Sequence, residues 1–192
     1  MITMKWFSLI SILLTLFSCA STSPRNKSDA CLLLAEKGEW KAPLNHASLR
    51  WEIPKHTILS IIYHESKFIS NALPPRKKFL GVSLPFRRIS SAYGYPQALD
   101  GTWEEYKKKR GGSFAERSNF KDSVDFIGWY LNRSVKKLGI SRNNAYNLYL
   151  AYHQGNKGFR NKAYLRKPAI MSYARKVQDT ALVYKKQIRS CS

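Results

Sequence analysis

The stretch Ile61-Ile62-Tyr63-His64-Glu65-Ser66-Lys67-Phe68-Ile69 decides how this chain is read. Counted at helical spacing, Ile58, Ile61 and Ile62 before Glu65 and Phe68 and Ile69 after it share its face, which predicts a helix carrying a carboxylate on its apolar stripe. Burial withholds water from an ionised carboxylate, so the neutral form is favoured and the pKa rises, as a general acid working near neutral pH requires. A glutamate so placed can also be a structural residue paired with a Lys or Arg, and helix geometry alone does not choose.

Outward from that helix, the punctuation of the chain predicts more helices. Pro54 fits the first turn of the Glu65 helix. Upstream, a helix from about Asp29 to Lys37 would be capped by Ser28 or Asp29 and ended by Gly38. Downstream, a helix beginning near Asp100 or Thr102 carries Trp103 and Tyr106 and closes at Gly111-Gly112. Phe120 to Leu138 sets Val124, Ile127, Leu131, Val135 and Leu138 on one side, Ala145 to Tyr152 is apolar nearly all round, and Pro168 starts a last helix with a stripe from Ile170 to Tyr184. Between them, Leu73 to Ile89 holds Pro74-Pro75-Arg76-Lys77-Lys78, Gly81, Pro85 and Arg87-Arg88 and reads as a long basic loop, with at most a short strand near Phe79 to Leu84. The expectation is a single, mostly α domain with a cleft and little or no sheet.

The 192 residues carry a formal net charge of +21, which points to a polyanionic partner: nucleic acid, anionic lipid or an acidic wall polymer. The N-terminus narrows the choice. Lys5 precedes an apolar run from Trp6 to Leu16, too short to span a bilayer comfortably and the right length for a secretory signal. The ending Leu16-Phe17-Ser18-Cys19 resembles a bacterial lipobox, although Phe17 is bulkier than usual there. The resemblance implies a signal peptide over residues 1–18, lipid on Cys19, a polar tether over 19–28 and the folded domain over 29–192. Ala20 after the cysteine, where an Asp would mark inner-membrane retention, resembles signals for the outer membrane, so the domain is expected on the periplasmic face of the envelope. Export argues against nucleic acid as partner, and no nucleic-acid motif is present. With Cys19 lipidated, Cys31 and Cys191 remain, and an oxidising compartment predicts a disulfide between the two ends of the domain, with free thiols as the alternative.

Three short segments follow one another in a telling order: Tyr63-His64-Glu65-Ser66, Ala92-Tyr93-Gly94-Tyr95-Pro96-Gln97, and Ala151-Tyr152-His153-Gln154-Gly155. Together they resemble the soluble-lytic-transglycosylase domain of the lysozyme-like superfamily, in which a Glu-Ser pair ends the catalytic helix, a Gly-Leu-Met-Gln loop floors the saccharide cleft and an Ala-Tyr-Asn-x-Gly segment completes it. The resemblance runs from about Pro54 to the last helix and implies an α+β lysozyme-like fold that cleaves peptidoglycan. It implies Glu65 as catalytic acid, with Ser66, Gly94, Tyr95, Gln97, Tyr152 and His153 as substrate-binding positions, and Tyr152 as the tyrosine that reaches the acid. Tyr95-Pro96 replaces Leu-Met and His153 replaces Asn, so the cleft floor should be more aromatic and stiffer than usual.

The implied chemistry needs one carboxyl group. Two-carboxylate glycosidases place acids on both sides of the scissile bond, yet no Asp or Glu lies between Glu65 and Asp100, and Asp100 is more simply read as a helix cap. His64 and His153, on separate helices without an acidic or cysteine cluster, make a poor metal site, and neither metal nor cofactor is expected. The alternatives are a lysozyme-like hydrolase and a non-catalytic wall-binding lipoprotein. A role within an envelope-spanning machine is left open by the sequence.

Overall fold

The computed structural model describes residues 23–191. The expected signal peptide and Cys19 lie outside the described residues. Helix α1 (Ala30–Glu36) begins where Asp29 accepts hydrogen bonds from the backbone N–H groups of Cys31 and Leu32. After a short 3-10 turn (Gly38–Trp40), α2 (Lys41–Trp51) leads into α3 (Lys55–Ser66), the helix of the opening stretch. Helices α4 (Asp100–Tyr106, continued by a π-helical turn over Lys107–Gly111), α5 (Phe120–Leu138), α6 (Ala145–Arg160) and α7 (Pro168–Ser190, preceded by a 3-10 turn over Ala163–Arg166) follow. The lone sheet among the described residues is an antiparallel pair, β1 (Arg76–Phe79) and β2 (Val82–Arg88). The fold is thus mostly α with a small sheet, as expected from the sequence.

Helix α5 lies between α2 and α6, and α7 packs on both α3 and α6. Ile58, Ile61 and Ile62 of α3 are fully buried against this set, together with Val124, Ile127 and Leu131 of α5 and Val177 and Tyr184 of α7. Such burial contributes on the order of 2 kcal/mol per large aliphatic side chain. At the crossing of α2 and α5, Trp51 rests on Gly128, whose position leaves no room for a side chain: a Cβ there would stand 2.5 Å from the Trp51 ring. Trp51 is fixed in turn by its indole N–H to Asp125 (2.8 Å) and by its carbonyl, which accepts from Asn132 (2.7 Å). Because the ring cannot swing aside, Gly128→Ala is expected to destabilise the fold by about 1–3 kcal/mol, measurable as a lowered urea midpoint. An unchanged midpoint would show that the two helices can slide apart freely.

The structure corrects several expectations. The basic loop is a β-hairpin: Leu80 (φ 49°) and Gly81 (φ 83°) are both left-handed, the conformation of a two-residue turn that matches strand twist. Ile69 does not continue the apolar face of α3, because Lys67 (φ 53°) and Phe68 (φ 59°) end the helix in the left-handed region. Phe68 still turns inward and is buried, while Ile69 is 39% exposed. The described part of the expected tether, residues 23–28, is laid on the domain: the Ser23 hydroxyl donates to the Lys67 carbonyl (2.8 Å) and the Arg25 N–H to Glu36. Tyr184 donates from within the core to the Lys27 carbonyl. Helix α6 runs past Tyr152 to Arg160, bent at Gly155, whose backbone (φ 72°) leaves the helical region. Cys31 and Cys191 form the expected disulfide, with Cα atoms 6.0 Å apart.

Candidate active site

Glu65 is the penultimate residue of α3, with the Lys67 N–H closing the helix onto the Tyr63 carbonyl. The carboxyl therefore stands at the negative end of the helix dipole, half-buried and bordering open cavities. Burial pushes its pKa up from the ordinary carboxylate value to about 7, against the opposing effect of a hydrogen bond from Tyr149. The dipole acts in the same direction as burial, so Glu65 is held protonated in part at neutral pH.

Three tyrosines surround the acid. Tyr149 of α6 donates to it, and the Tyr149 phenol is itself kept neutral by burial and by the adjacent carboxyl. Tyr152, one turn further on, lines the cleft with Glu65, but its hydroxyl donates to the Pro96 carbonyl (2.5 Å). Tyr173 of α7 donates to the carbonyl of His64 (2.7 Å), capping one of the open acceptors at the end of α3. The tyrosine bonded to Glu65 is thus Tyr149, which the sequence reading did not single out. The signal was present: residues 149, 152 and 153 share one helical face.

Glu65 sits where two cavities meet. The larger, about 660 Å³, is walled by Leu73, Pro74, Pro75 and Ile89 on one side and by Phe126, Tyr130 and Tyr152 on the other. The smaller, about 360 Å³, lies between Tyr149, Ile170 and Tyr173. His153 borders both, so an elongated ligand filling the two would cross Glu65 and His153. Burial, then the Lys167 ammonium, lowers the pKa of His153, which favours a neutral ring. His64 is likewise held neutral, its pKa lowered to about 4 by burial and then by Lys67 and Lys176, and its Nε2 meets the Thr180 hydroxyl (2.9 Å).

The remaining expected positions divide. Gln97 borders the larger cavity and clamps the floor loop, its Nε2 donating to the carbonyls of Ala72 and Gly94 (both 2.9 Å). Gly94 (φ 73°) allows that loop to touch its neighbour: a Cβ would stand 2.1 Å from the Arg117 carbonyl oxygen. Tyr95 does not form the cleft floor. It is 5% exposed, edge-on to Trp40 and Phe120, and belongs to the core. Ser66 is also turned away, its hydroxyl donating back to the Ile62 carbonyl (3.1 Å) inside its own helix. Asp100 is the first residue of α4 and not its cap; it pairs with Arg117 (2.8 Å) and does not border either cavity. Among the described residues, Glu65 is the single carboxylate lining the two cavities, and no cluster of three or more His, Cys, Asp or Glu side chains is arranged to hold a metal.

No curated protein matches the chain. A family profile does: that of the "Transglycosylase SLT domain", which aligns with residues 7–191 and so takes in the acid, the floor loop, both flanking helices and the disulfide. With one partly protonated glutamate at the end of a helix, a glycine-turned floor beneath it and a profile that spans nearly the whole sequence, the chain belongs to the transglycosylase SLT domain family.

Proposed function

We propose that the protein cleaves the β-1,4 bond between N-acetylmuramic acid and N-acetylglucosamine in peptidoglycan and releases a 1,6-anhydro product. Membership of the family supports action on the glycan strand. The observation that carries the finer reading is Glu65: a protonatable carboxyl, without a second acid lining either cavity, where cavities of about 660 and 360 Å³ share a wall.

Protonated Glu65 donates its proton to the glycosidic oxygen, the bond from that oxygen to C1 of the muramic acid breaks, and the sugar's own N-acetyl group assists departure in place of a second carboxylate. Glu65, now ionised, takes the proton of the C6 hydroxyl, whose oxygen bonds to C1 and closes the anhydro ring. The proton that Glu65 gave is thereby restored, and no water is consumed. Tyr149 orients the carboxyl through both halves of the cycle, while neutral His153 offers a ring nitrogen beside the bond to be broken.

Mass spectrometry of the soluble products from purified sacculi tests this directly. Anhydro-muropeptides are expected; reducing ends alone would make the enzyme a hydrolase, and no product at all would favour a wall-binding role. The same assay gives a pH profile. Because the first step needs the protonated acid, turnover should fall about tenfold for each pH unit above about 7. A rate that keeps rising to pH 9 would sink the assignment of Glu65 as acid.

The lipobox-like Leu16-Phe17-Ser18-Cys19 supports placement as a lipoprotein facing the periplasm, with the outer membrane favoured. Incorporation of labelled palmitate that is lost in Cys19→Ala is the expected result, and labelling that persists in that variant would reject the anchor.

A further inference from the structure

The hairpin formed by β1 and β2 stands away from the domain. Every residue of β1 is exposed, and in β2 only Leu84 and Arg88 are partly covered. Two-stranded hairpins without a packed face are marginal in water, and this one carries apolar side chains where a covered hairpin would. Phe79 pairs with Val82 and Lys78 with Ser83. Strand alternation then puts Phe79, Val82, Leu84 and Phe86 on one face, with Lys77 at its edge beside the register shift between Arg76 and Lys78, and Lys78, Ser83, Pro85 and Arg87 on the other. Exposure reaches 88% at Leu80 in the turn and 96% at Phe86.

The charge on the arm is of one sign. Arg76, Lys77, Lys78 and Arg87 enter no ion pair among the described residues. Arg88 is spent at the base, donating to the Pro74 carbonyl (2.7 Å). An apolar face and tip with cations close behind them is the pattern of a segment that seats in the headgroup region of a bilayer, its side chains in the acyl boundary and its cations on lipid phosphates. A glycan strand matches the arm less well, because Leu80, Val82 and Leu84 have no ring face to stack on sugars and a polysaccharide offers no apolar layer to bury them.

We propose that this hairpin is a docking arm for an anionic phospholipid surface, separate from any lipid carried at the N-terminus. Its base, at Pro75 and Ile89, forms the rim of the larger cavity. The four residues of β1 separate Pro75 at that rim from Leu80 in the turn, so docking through the tip would hold the cleft mouth roughly 17 Å from the bilayer.

The test is co-sedimentation of residues 23–192, which contain the described core and both disulfide cysteines without the N-terminal apolar run, with sucrose-loaded vesicles. Vesicles of phosphatidylglycerol and phosphatidylethanolamine are compared with vesicles of phosphatidylcholine alone and with purified sacculi. Binding to the anionic vesicles should exceed that to phosphatidylcholine on the order of tenfold. It should fall at least about fivefold both in the combined variant Phe79→Ser, Val82→Ser, Phe86→Ser and in Lys77→Glu, Lys78→Glu, with turnover of soluble glycan strands unchanged. Should the triple variant fail to fold, Phe86→Ser alone carries the same comparison, since that ring touches almost nothing. Wild-type protein that stays in the supernatant with anionic vesicles overturns the proposal. So does a serine variant that pellets as wild type does, and so does loss of sacculus binding in that variant without any vesicle binding, which would assign the arm to the wall. Because turnover is read separately, these outcomes do not depend on the reaction assigned to Glu65.

Discussion

Glu65→Gln is expected to lose turnover by three orders of magnitude or more, while the folded protein becomes more stable at pH 8. The loss follows from the two proton transfers assigned to this one side chain, since a positioned acid or base contributes about 10² to 10⁴ in rate and glutamine can be neither. The gain follows from linkage. The folded-state pKa, about 7, lies above the ordinary value of 4.5, so the folded form holds a proton that the unfolded chain has released between those two values. The stability associated with that proton is fully present below about pH 4.5 and is lost as pH rises through about 7. Two and a half pKa units correspond to roughly 3 kcal/mol, reduced by whatever water enters the cleft. Glutamine has the same shape and no charge, so the variant's stability should be flatter from pH 5 to pH 8 than that of the native chain. Chemical denaturation of both proteins at the two pH values measures the difference. Parallel curves would mean that Glu65 ionises in the fold as readily as in water, and the general-acid assignment would fall with that result.

The second large effect belongs to the disulfide. Cys31 and Cys191 are 160 residues apart, and in the chain-entropy account a loop of that length stabilises the fold by about 5 kcal/mol. Against a total stability of about 5–15 kcal/mol for a domain, Cys31→Ser with Cys191→Ser should lower the melting temperature by about 10–20 °C. Neighbouring hydrogen bonds soften the loss only slightly. Gln187 accepts from the Ala30 N–H (2.9 Å) and donates to the Ser28 carbonyl (3.3 Å), and with the Tyr184 bond to the Lys27 carbonyl and the buried Ala30 and Leu33 these contacts would have to hold α1 on α7. The cleft is lined by α3, α5, α6, the floor loop and the first turns of α7 at Ile170 and Tyr173, while the disulfide joins the opposite end of α7, so turnover at 25 °C should survive. A melting temperature within two or three degrees of native would show that the termini are already held together in the unfolded ensemble. Calorimetry of the oxidised and reduced native chain gives an independent reading.

Much of this architecture can be read from residues whose local chemistry is unambiguous. Asp29 before an apolar run, Gly139 after one and Pro168 at the head of another mark helix ends that the structure places within a residue or two. Helix α2 was silent because its pattern is weak: Pro43 interrupts its first turn, and only Leu44 and Ala47 are buried. The hairpin escaped because its turn opens on Leu80, where Asn or Asp is the usual sign of a left-handed residue, and because charge crowds its first strand. At the site, Glu65, Gln97, Tyr152 and His153 could be named from short segments and all border the cleft. Tyr95 and Ser66 sit in the same segments yet face inward, since a motif marks a stretch of backbone without saying which side chains the packing will claim. Trp40 and Phe120 claim Tyr95, and they come from distant parts of the chain that only the folded structure brings together.

The seating of residues 23–28 has a mechanical consequence. Ser23 is held at the Lys67 carbonyl, two residues beyond Glu65, so a pull transmitted through whatever precedes it would load the end of α3 first. That contact is a single hydrogen bond and would yield early. The load would then pass to the Arg25 and Glu36 contact, to the Lys27 and Ser28 carbonyls held by Tyr184 and Gln187, and next to the covalent link at Cys31, which hands it to the end of α7. The covalent link therefore acts as a strain relief: tension at the N-terminal end is taken up at the C-terminal end of α7, far along that helix from the Ile170 and Tyr173 turns that line the cleft, and the cleft keeps its shape while the protein is tugged.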